Sequence, residues 1–551
     1  MLRRRLGNER GIAMIVALCF LIMIAFLGSA VIRTSSTDMG ISKALTDRTH
    51  AFYVAEGGLN VALATMRTNA SIVSRDSMLP LINNAPTIGG GYFAVSMTNT
   101  YPIRTVTSVG SDQEGRASVA VDVRHRRNPI NPWNNAIFAG VGQVGKGIAG
   151  NVDIHGSVHI LGDGEDFTDA NSNGQWDDRD TYTDLNGNGT WQAGEPLTVD
   201  HDGDATWDPA EAYVDDNGNG DYDETLTATD LSFEATGTAA VENNYNGIPG
   251  TLSSRIPPLS SIDFNGESVN TLDAELRVKH GMVNLSGTAH VGQADASGGS
   301  PVQKETMDGV YVNDGYGGNA GTSNVYSDNG TSEGYDLPDG VISFPSLNDS
   351  SMGYSDHRGY LAGNALIISG DLEIKPGVAY ASPYSPYGSL SVDASGNVTI
   401  SGIVMVTGDL NLSAGAGSKK NDPLVYDGRG TLVAQGSMYV NTSLLSKAEY
   451  PTNDVLGLLS YHTLELGTGS GASQLTMMAA CYAQNQIINQ KQNHIAGAMV
   501  SNYFSMTNVP SIWQVPALVD NLPPGMPGGN TFMAYVWNEM PSTWREIYPV
   551  Y

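Results

Sequence analysis

Twenty-two consecutive uncharged residues, Gly11 to Ile32, constrain this chain more than any other feature. A helix of that length rises about 33 Å, enough to cross a bilayer core of about 30 Å. Arg3, Arg4, Arg5 and Arg10 precede the run. By the positive-inside rule they stay in the cytoplasm, and everything beyond Ile32 lies outside it. A cleaved secretory signal has a shorter apolar core with a small-residue site after it. Here helical spacing continues instead, through Ile41, Leu45, Phe52, Ala55, Leu59, Ala62, Leu63 and Met66. The spacing predicts one helix over 12–66, a membrane span that runs into an amphipathic stalk.

Alternating patterns follow at 92–97, 104–109 and 117–123, the last two joined by the turn signal Gly110 to Gly115. They predict a small sheet over 91–125, in a module that ends near residue 127. From about Asn135 short apolar runs alternate with glycines, as at 151–160, 365–374 and 398–412. Glycines recur six residues apart at 396, 402 and 408. Strands this short with turns of one or two residues cannot all be hairpins. They fit a parallel β-helix, with a β-sandwich as the alternative.

The N-terminal residues carry a resemblance. A basic leader ending in Gly11, then Ile12-Ala13-Met14-Ile15-Val16 and an apolar helix, resembles a type IV prepilin signal. Arg33-Thr34-Ser35 and the stretch Ala51-Phe52-Tyr53-Val54-Ala55-Glu56-Gly57-Gly58-Leu59 resemble the N-terminal region of PilX-type minor pilins. The resemblance implies a leader over 1–11, cleaved between Gly11 and Ile12, and other pilin or pseudopilin subunits as partners. Major pilins carry Glu at the fifth mature position, where this chain has Val16. A buried carboxylate in the membrane needs a partner, so its absence argues against a bulk subunit and for a minor one. The segment from Ala365 to Pro527 resembles an uncharacterised bacterial domain found beside pilin-like N-termini. The expected fold is therefore mainly β with one long N-terminal α-helix. A pilin-like α+β module over 12–127 is followed by a β-helix-like domain over 135–551, with an insertion at 163–226.

That insertion holds the sharpest chemistry. Units begin at Asp169, Asp184, Asp200 and Asp215. The second, with Asp184, Asn186, Asn188, Gly189, Thr190 and Glu195, satisfies the calcium-loop pattern D-x-[DN]-x-[DN]-G-x5-E in full. Ca2+ takes six to eight oxygens, and the pattern supplies them. Side chains at positions 1, 3 and 5 give three, the carbonyl at 7 gives another, and a carboxylate at 12 closes the shell. The first unit offers Asp169, Asn171, Asn173 and Gln175, with the shorter Asp180 at position 12. The third offers Asp200, Asp202, Asp204, Thr206 and Glu211, but Ala205 replaces the glycine, so its turn should be strained. The fourth offers Asp215, Asn217, Asn219 and Asp221, but Leu226 stands at position 12, leaving Asp223 or Glu224 to substitute. Aromatics at position 8 (Trp176, Trp191, Trp207, Tyr222) point to a shared core. The unit spacing leaves no room for helix pairs, and the repeats resemble the loop-only calcium repeats of thrombospondin-like and bacterial surface proteins.

Charge supports this reading. The chain carries a formal net charge of -29. Between Asp163 and Glu224 there are 19 acidic residues against the single Arg179. Such a segment repels itself without cations, and the acidity argues against nucleic acid as a partner. Gly140-Val141-Gly142-Gln143-Val144-Gly145 matches G-x-G-x-x-G, but a glycine-broken β pattern follows where a dinucleotide site needs a helix. Cys19 and Cys481 offer no disulfide framework. The ten histidines are scattered and read as surface or turn residues. No carboxylate pair marks a catalytic site, so the chain is read as a non-enzyme. The C-terminal aromatics, among them Trp513, Trp537, Trp544 and Tyr548, read as a seal on the end of the β-helix.

The expected protein is an inner-membrane precursor with a cytoplasmic N-terminus. Its mature body is periplasmic or on the pilus or cell surface, stabilised by calcium, with a surface glycan or protein as ligand. The alternatives are an assembly-priming pseudopilin of a type IV pilus or type II secretion system, and a calcium-dependent polysaccharide-active β-helix enzyme.

Overall fold

A computed structural model describes residues 6–547 except 69–81, 88–89, 99–102, 113–114, 142–151, 166, 172–174, 202, 214, 216–219, 221, 226–227, 231–238, 265–266, 297–301, 332, 338–339, 420, 471–473, 507–509, 530–531 and 540–542. It divides into two units, residues 1–129 with 533–551, and residues 130–532.

The first unit is built on helix α1 (Leu6–Thr68). Residues 11–46 are exposed along the whole of this stretch, including Met14, Leu21 and Phe26. Beyond it the helix lays Ala51, Ala55, Leu59, Ala62, Leu63 and Met66 on a sheet. The sheet has strands β1 (Ile82–Pro86), β2 (Tyr92–Met97), β3 (Ile103–Asp112) and β4 (Gly115–Ile130), antiparallel in chain order. Strand β2 alternates, with Phe93, Val95 and Met97 turned inward, the period that lets one face meet the helix. Small residues set the distance between helix and sheet. A side chain at Gly110 would overlap the helix backbone at Ala51 and Ala55, so glycine is what permits the close approach.

The chain's end also belongs here. Strand Arg545–Ile547 pairs antiparallel with β4. Arg545 grips Asp122 with both terminal nitrogens at 3.0 Å, and Trp544 meets Phe52 edge-on at 5.9 Å. The sequence reading kept the β-rich domain going to residue 551 and had Trp544 sealing it; the structure returns 533–551 to the first unit. Strand pairing between residues hundreds of positions apart leaves no local trace in sequence.

The second unit is a stack of parallel strands. One column of contacts shows the construction. Leu366, Val404, Leu432, Leu458, Cys481, Met499, Ile137, Val158, Leu276 and Val310 stand opposite one another on ten consecutive parallel strands. All ten are buried, and full burial of each aliphatic side chain contributes about 1.5–3 kcal/mol. Each coil presents its next strand to a second face, as with Leu372, Leu410 and Met438. At Gly402, φ is 65°, and the strand from Asn397 to Val406 bends there from one face to the next. This is the β-helix-like arrangement, not a sandwich.

The stacking order departs from chain order. Residues 365–514 climb toward the middle of the stack and meet 137–160 there, where Met499 pairs with Ile137 and Ser511 with Asp153. The core continues without interruption across that junction. Chain entry and exit of this unit are tied at the same place, where the Trp133 indole donates to the Pro527 carbonyl at 2.7 Å.

Candidate functional site

The insertion folds as a two-legged antiparallel arm. Thr181–Tyr182 pairs antiparallel with Leu197–Val199, and Phe167 bridges Tyr213. The loop of Asp184 sits at the tip, where one leg turns into the other. Asp184 Oδ1 accepts from the backbone N–H groups of Asn186 (3.2 Å), Gly187 (2.6 Å) and Asn188 (3.3 Å), and Oδ2 accepts from Gly189 (2.7 Å). Those donors, Gly189 first, hold its carboxyl below the usual range. The same contact from position 6 to position 1 recurs from Ala205 to Asp200 and from Gly220 to Asp215, each at 3.0 Å.

Position 6 needs a left-handed backbone. Gly189 and Gly220 take φ of 73° and 83°, and Ala205 takes 64°. An alanine there carries the strain its sequence implied.

The closing acids are arranged in a way the repeat pattern did not show. Glu195 serves its own loop: Oε1 accepts from Leu185 N–H at 3.0 Å and Oε2 from Gln192 N–H at 3.0 Å. Glu211 does the same for the loop of Asp169, accepting from Ala170 (2.7 Å) and Asp177 (3.2 Å). Asp180 does so for the loop of Asp200, accepting from His201 (2.9 Å) and Asp208 (3.1 Å). Glu165 accepts from Asp223 N–H at 3.2 Å in the loop of Asp215. The sequence reading gave Asp180 and Glu211 to their own loops and Asp223 or Glu224 to the fourth. Instead Asp180 and Glu211 serve each other's loops, Glu224 is exposed, and Glu165 serves the loop of Asp215, whose Leu226 lies outside the described residues. A signal for Glu165 was present: it lies four residues before Asp169, as Asp180 lies four before Asp184 and Glu211 four before Asp215.

Trp176 and Trp207 join the legs, and Trp191 closes the tip loop on itself. The indole N–H of Trp176 donates to Glu211 O (2.9 Å), that of Trp191 to Glu195 O (3.1 Å), and that of Trp207 to Asp180 O (2.8 Å). Trp176 stacks on Tyr222 with centroids 4.6 Å apart. Of the other predicted ligands, Asn171, Gln175, Asn186, Asn188, Thr190, Asp204 and Thr206 are exposed on the loops. Asn173, Asp202, Asn217, Asn219 and Asp221 lie outside the described residues. The donors present are carboxylate, amide and carbonyl oxygens, the set a hard cation of the calcium class takes.

Sequence reading missed a second cluster. On adjacent rungs His155 lies between Asp153 (Nε2 to Oδ2, 3.1 Å) and Glu242 (Nδ1 to Oε2, 3.3 Å), with Trp513 stacked on its ring. Among the described residues these three form the one group of His, Cys, Asp or Glu close enough to share a metal ion. A carboxylate on each ring nitrogen is the geometry of an ion-paired imidazolium. Burial opposes the charge, but Asp153 and Glu242 outweigh it and raise the His155 pKa above the ordinary value. His159 and His357 are buried too, against the expectation of surface histidines. The G-x-G-x-x-G stretch runs from Gly142 outside the described residues.

These features define the class: a long helix with an apolar exposed half, seated on an antiparallel sheet, joined to a stack of parallel β-coils. Residues 10–60, within helix α1, match the family described as PilX N-terminal. Among solved structures, the competence-associated pilin ComZ from Thermus thermophilus is similar at 16% identity and a TM-score of 0.42, over 91% of this chain and 98% of that one. The fold assignment rests on the strand registers above. No curated protein matches the chain in sequence.

Proposed function

We propose that this chain is a minor pilin whose β-helix-like body and acidic arm act outside the cytoplasm as a binding surface stiffened by calcium. One observation carries the reading. Helix α1 is exposed and apolar over its first half, a segment long enough to cross a membrane, and packed through small residues against the sheet over its second half. Such a helix holds the precursor in the inner membrane and then packs among other pilin or pseudopilin helices, while its far end carries the body. Val16 leaves it without the carboxylate expected of a bulk subunit.

The arm adds the second part. Its acidic residues would repel one another, and calcium at the loops offsets that repulsion while joining the legs. Weak sites suffice at extracellular calcium concentrations. The ligand is read as a surface glycan or protein. The role is binding, not catalysis.

The test is co-expression of the full chain with a prepilin peptidase. The expected product begins at Ile12, appears in the sheared pilus fraction, and is lost with Gly11→Leu. Retention of the leader and absence from that fraction would refute the pilin role. Limited proteolysis tests the arm: residues 163–226 should resist cleavage in calcium and be cut in chelator. Equal resistance in both would refute calcium stiffening.

A further inference from the structure

We infer that the arm binds calcium across its two legs: Glu211 closes the loop of Asp169, Asp180 the loop of Asp200, and Glu165 the loop of Asp215, while the tip loop alone is closed from within, by Glu195. This rests on the calcium reading above and specifies which side chains complete which site.

The tip loop satisfies the calcium pattern in full and is the template. There the closing acid takes the N–H of loop positions 2 and 9 with its two oxygens and gives its own N–H to the position 9 carbonyl. Glu211 repeats all three contacts toward Ala170 and Asp177. Asp180 repeats them toward His201 and Asp208. Glu165 repeats the two that involve Asp223.

Burial is an independent observation. Relative exposure is 6% for Glu165, 3% for Asp180, 7% for Glu195 and 8% for Glu211. Among the described residues no Lys, Arg or His forms an ion pair with Asp180, Glu195 or Glu211. A buried carboxylate without a compensating cation is strongly unfavourable, and two N–H donors leave part of its acceptor capacity open. For Asp180, Glu195 and Glu211 the missing partner is a cation, at the side of each of these acids that faces its loop.

Order of filling follows. The tip site closes within 10 residues, whereas the site of Asp215 joins groups 58 apart. Each ion bound nearer the tip shortens the loop that the next must close. Calcium should therefore zip the arm from tip to base.

The experiment is calorimetric counting of calcium bound by the full chain in detergent, with calcium alone as the probe. Glu211→Gln should lose one equivalent. Adding Asp169→Asn should lose no more; adding Asp200→Asn should lose a second. The reverse pattern would place Glu211 in its own loop and overturn the proposal. Glu165→Gln should also lose one equivalent, with no further loss on adding Asp215→Asn; an unchanged count overturns its role. Hydrogen exchange keeps the test decisive if a variant loosens the whole arm. Glu211→Gln in calcium should deprotect 169–178 before 200–209, and the opposite order refutes the exchange of acids. Absence of calcium binding by the unsubstituted chain would instead remove the calcium reading itself.

Discussion

Glu211 Oε1 accepts the Ala170 backbone N–H at 2.7 Å across 41 residues of sequence. That bond belongs to a ladder in which acids on one leg of the arm grip loops on the other. The ladder makes the arm one unit instead of four independent loops, and local changes should register along its length.

Ala205 gives the first prediction. Its left-handed backbone is unfavourable by about 1–2 kcal/mol, and glycine gives back about 0.5–1 kcal/mol through its greater freedom when unfolded. Ala205→Gly should stabilise the arm by about 0.5–1 kcal/mol, read as slower proteolysis of 163–226 in calcium. Gly189→Ala, at φ 73°, should act in the opposite direction. Faster cleavage of Ala205→Gly would contradict the strain.

His155 gives a pH dependence. Its folded pKa lies above the ordinary 6.5, so the folded protein holds a proton that the unfolded chain releases. The ion-paired cation contributes fully below about pH 6.5 and loses its contribution as pH rises through the folded pKa. His155→Gln should lower stability at pH 6 by about 1–3 kcal/mol, with the difference from the unsubstituted protein shrinking toward alkaline pH. Taking that difference cancels the other histidines, including His159, which burial first of all holds well below the usual value. A difference that grows with pH would reverse the assignment.

Gly110→Ala tests the helix–sheet contact. The added methyl meets the backbone of α1 at Ala51 and Ala55, and overpacking of this kind costs about 1–3 kcal/mol. Hydrogen exchange over 47–66 should accelerate while the body of the second unit is unaffected. Unchanged exchange would show that the helix does not sit so close.

Cys481 stands in the apolar column and burial raises its thiol to about 12. In a Cys19→Ser background it should resist alkylation at pH 8 until the protein unfolds. Rapid labelling of the folded protein would show that the column opens.

The sequence by itself determined everything with a short-range cause. The uncharged run from Gly11 to Ile32 set out a helix long enough to cross a bilayer, where the backbone must satisfy its own hydrogen bonds. Alternation at 92–97 and 117–123 placed the sheet, and Val398 to Leu412 with its glycines gave the coils. The repeat from Asp169 to Asp223 set out the loops, down to the strained turn at Ala205. Tertiary structure decided what depends on distant partners. It sent Arg545–Ile547 back to β4, set Met499 beside Ile137, brought His155 between Asp153 and Glu242, and exchanged Asp180 with Glu211. A hydrogen bond or an ion pair is chosen by distance in space, and a pattern of neighbours along the chain records that distance only when the two partners are local.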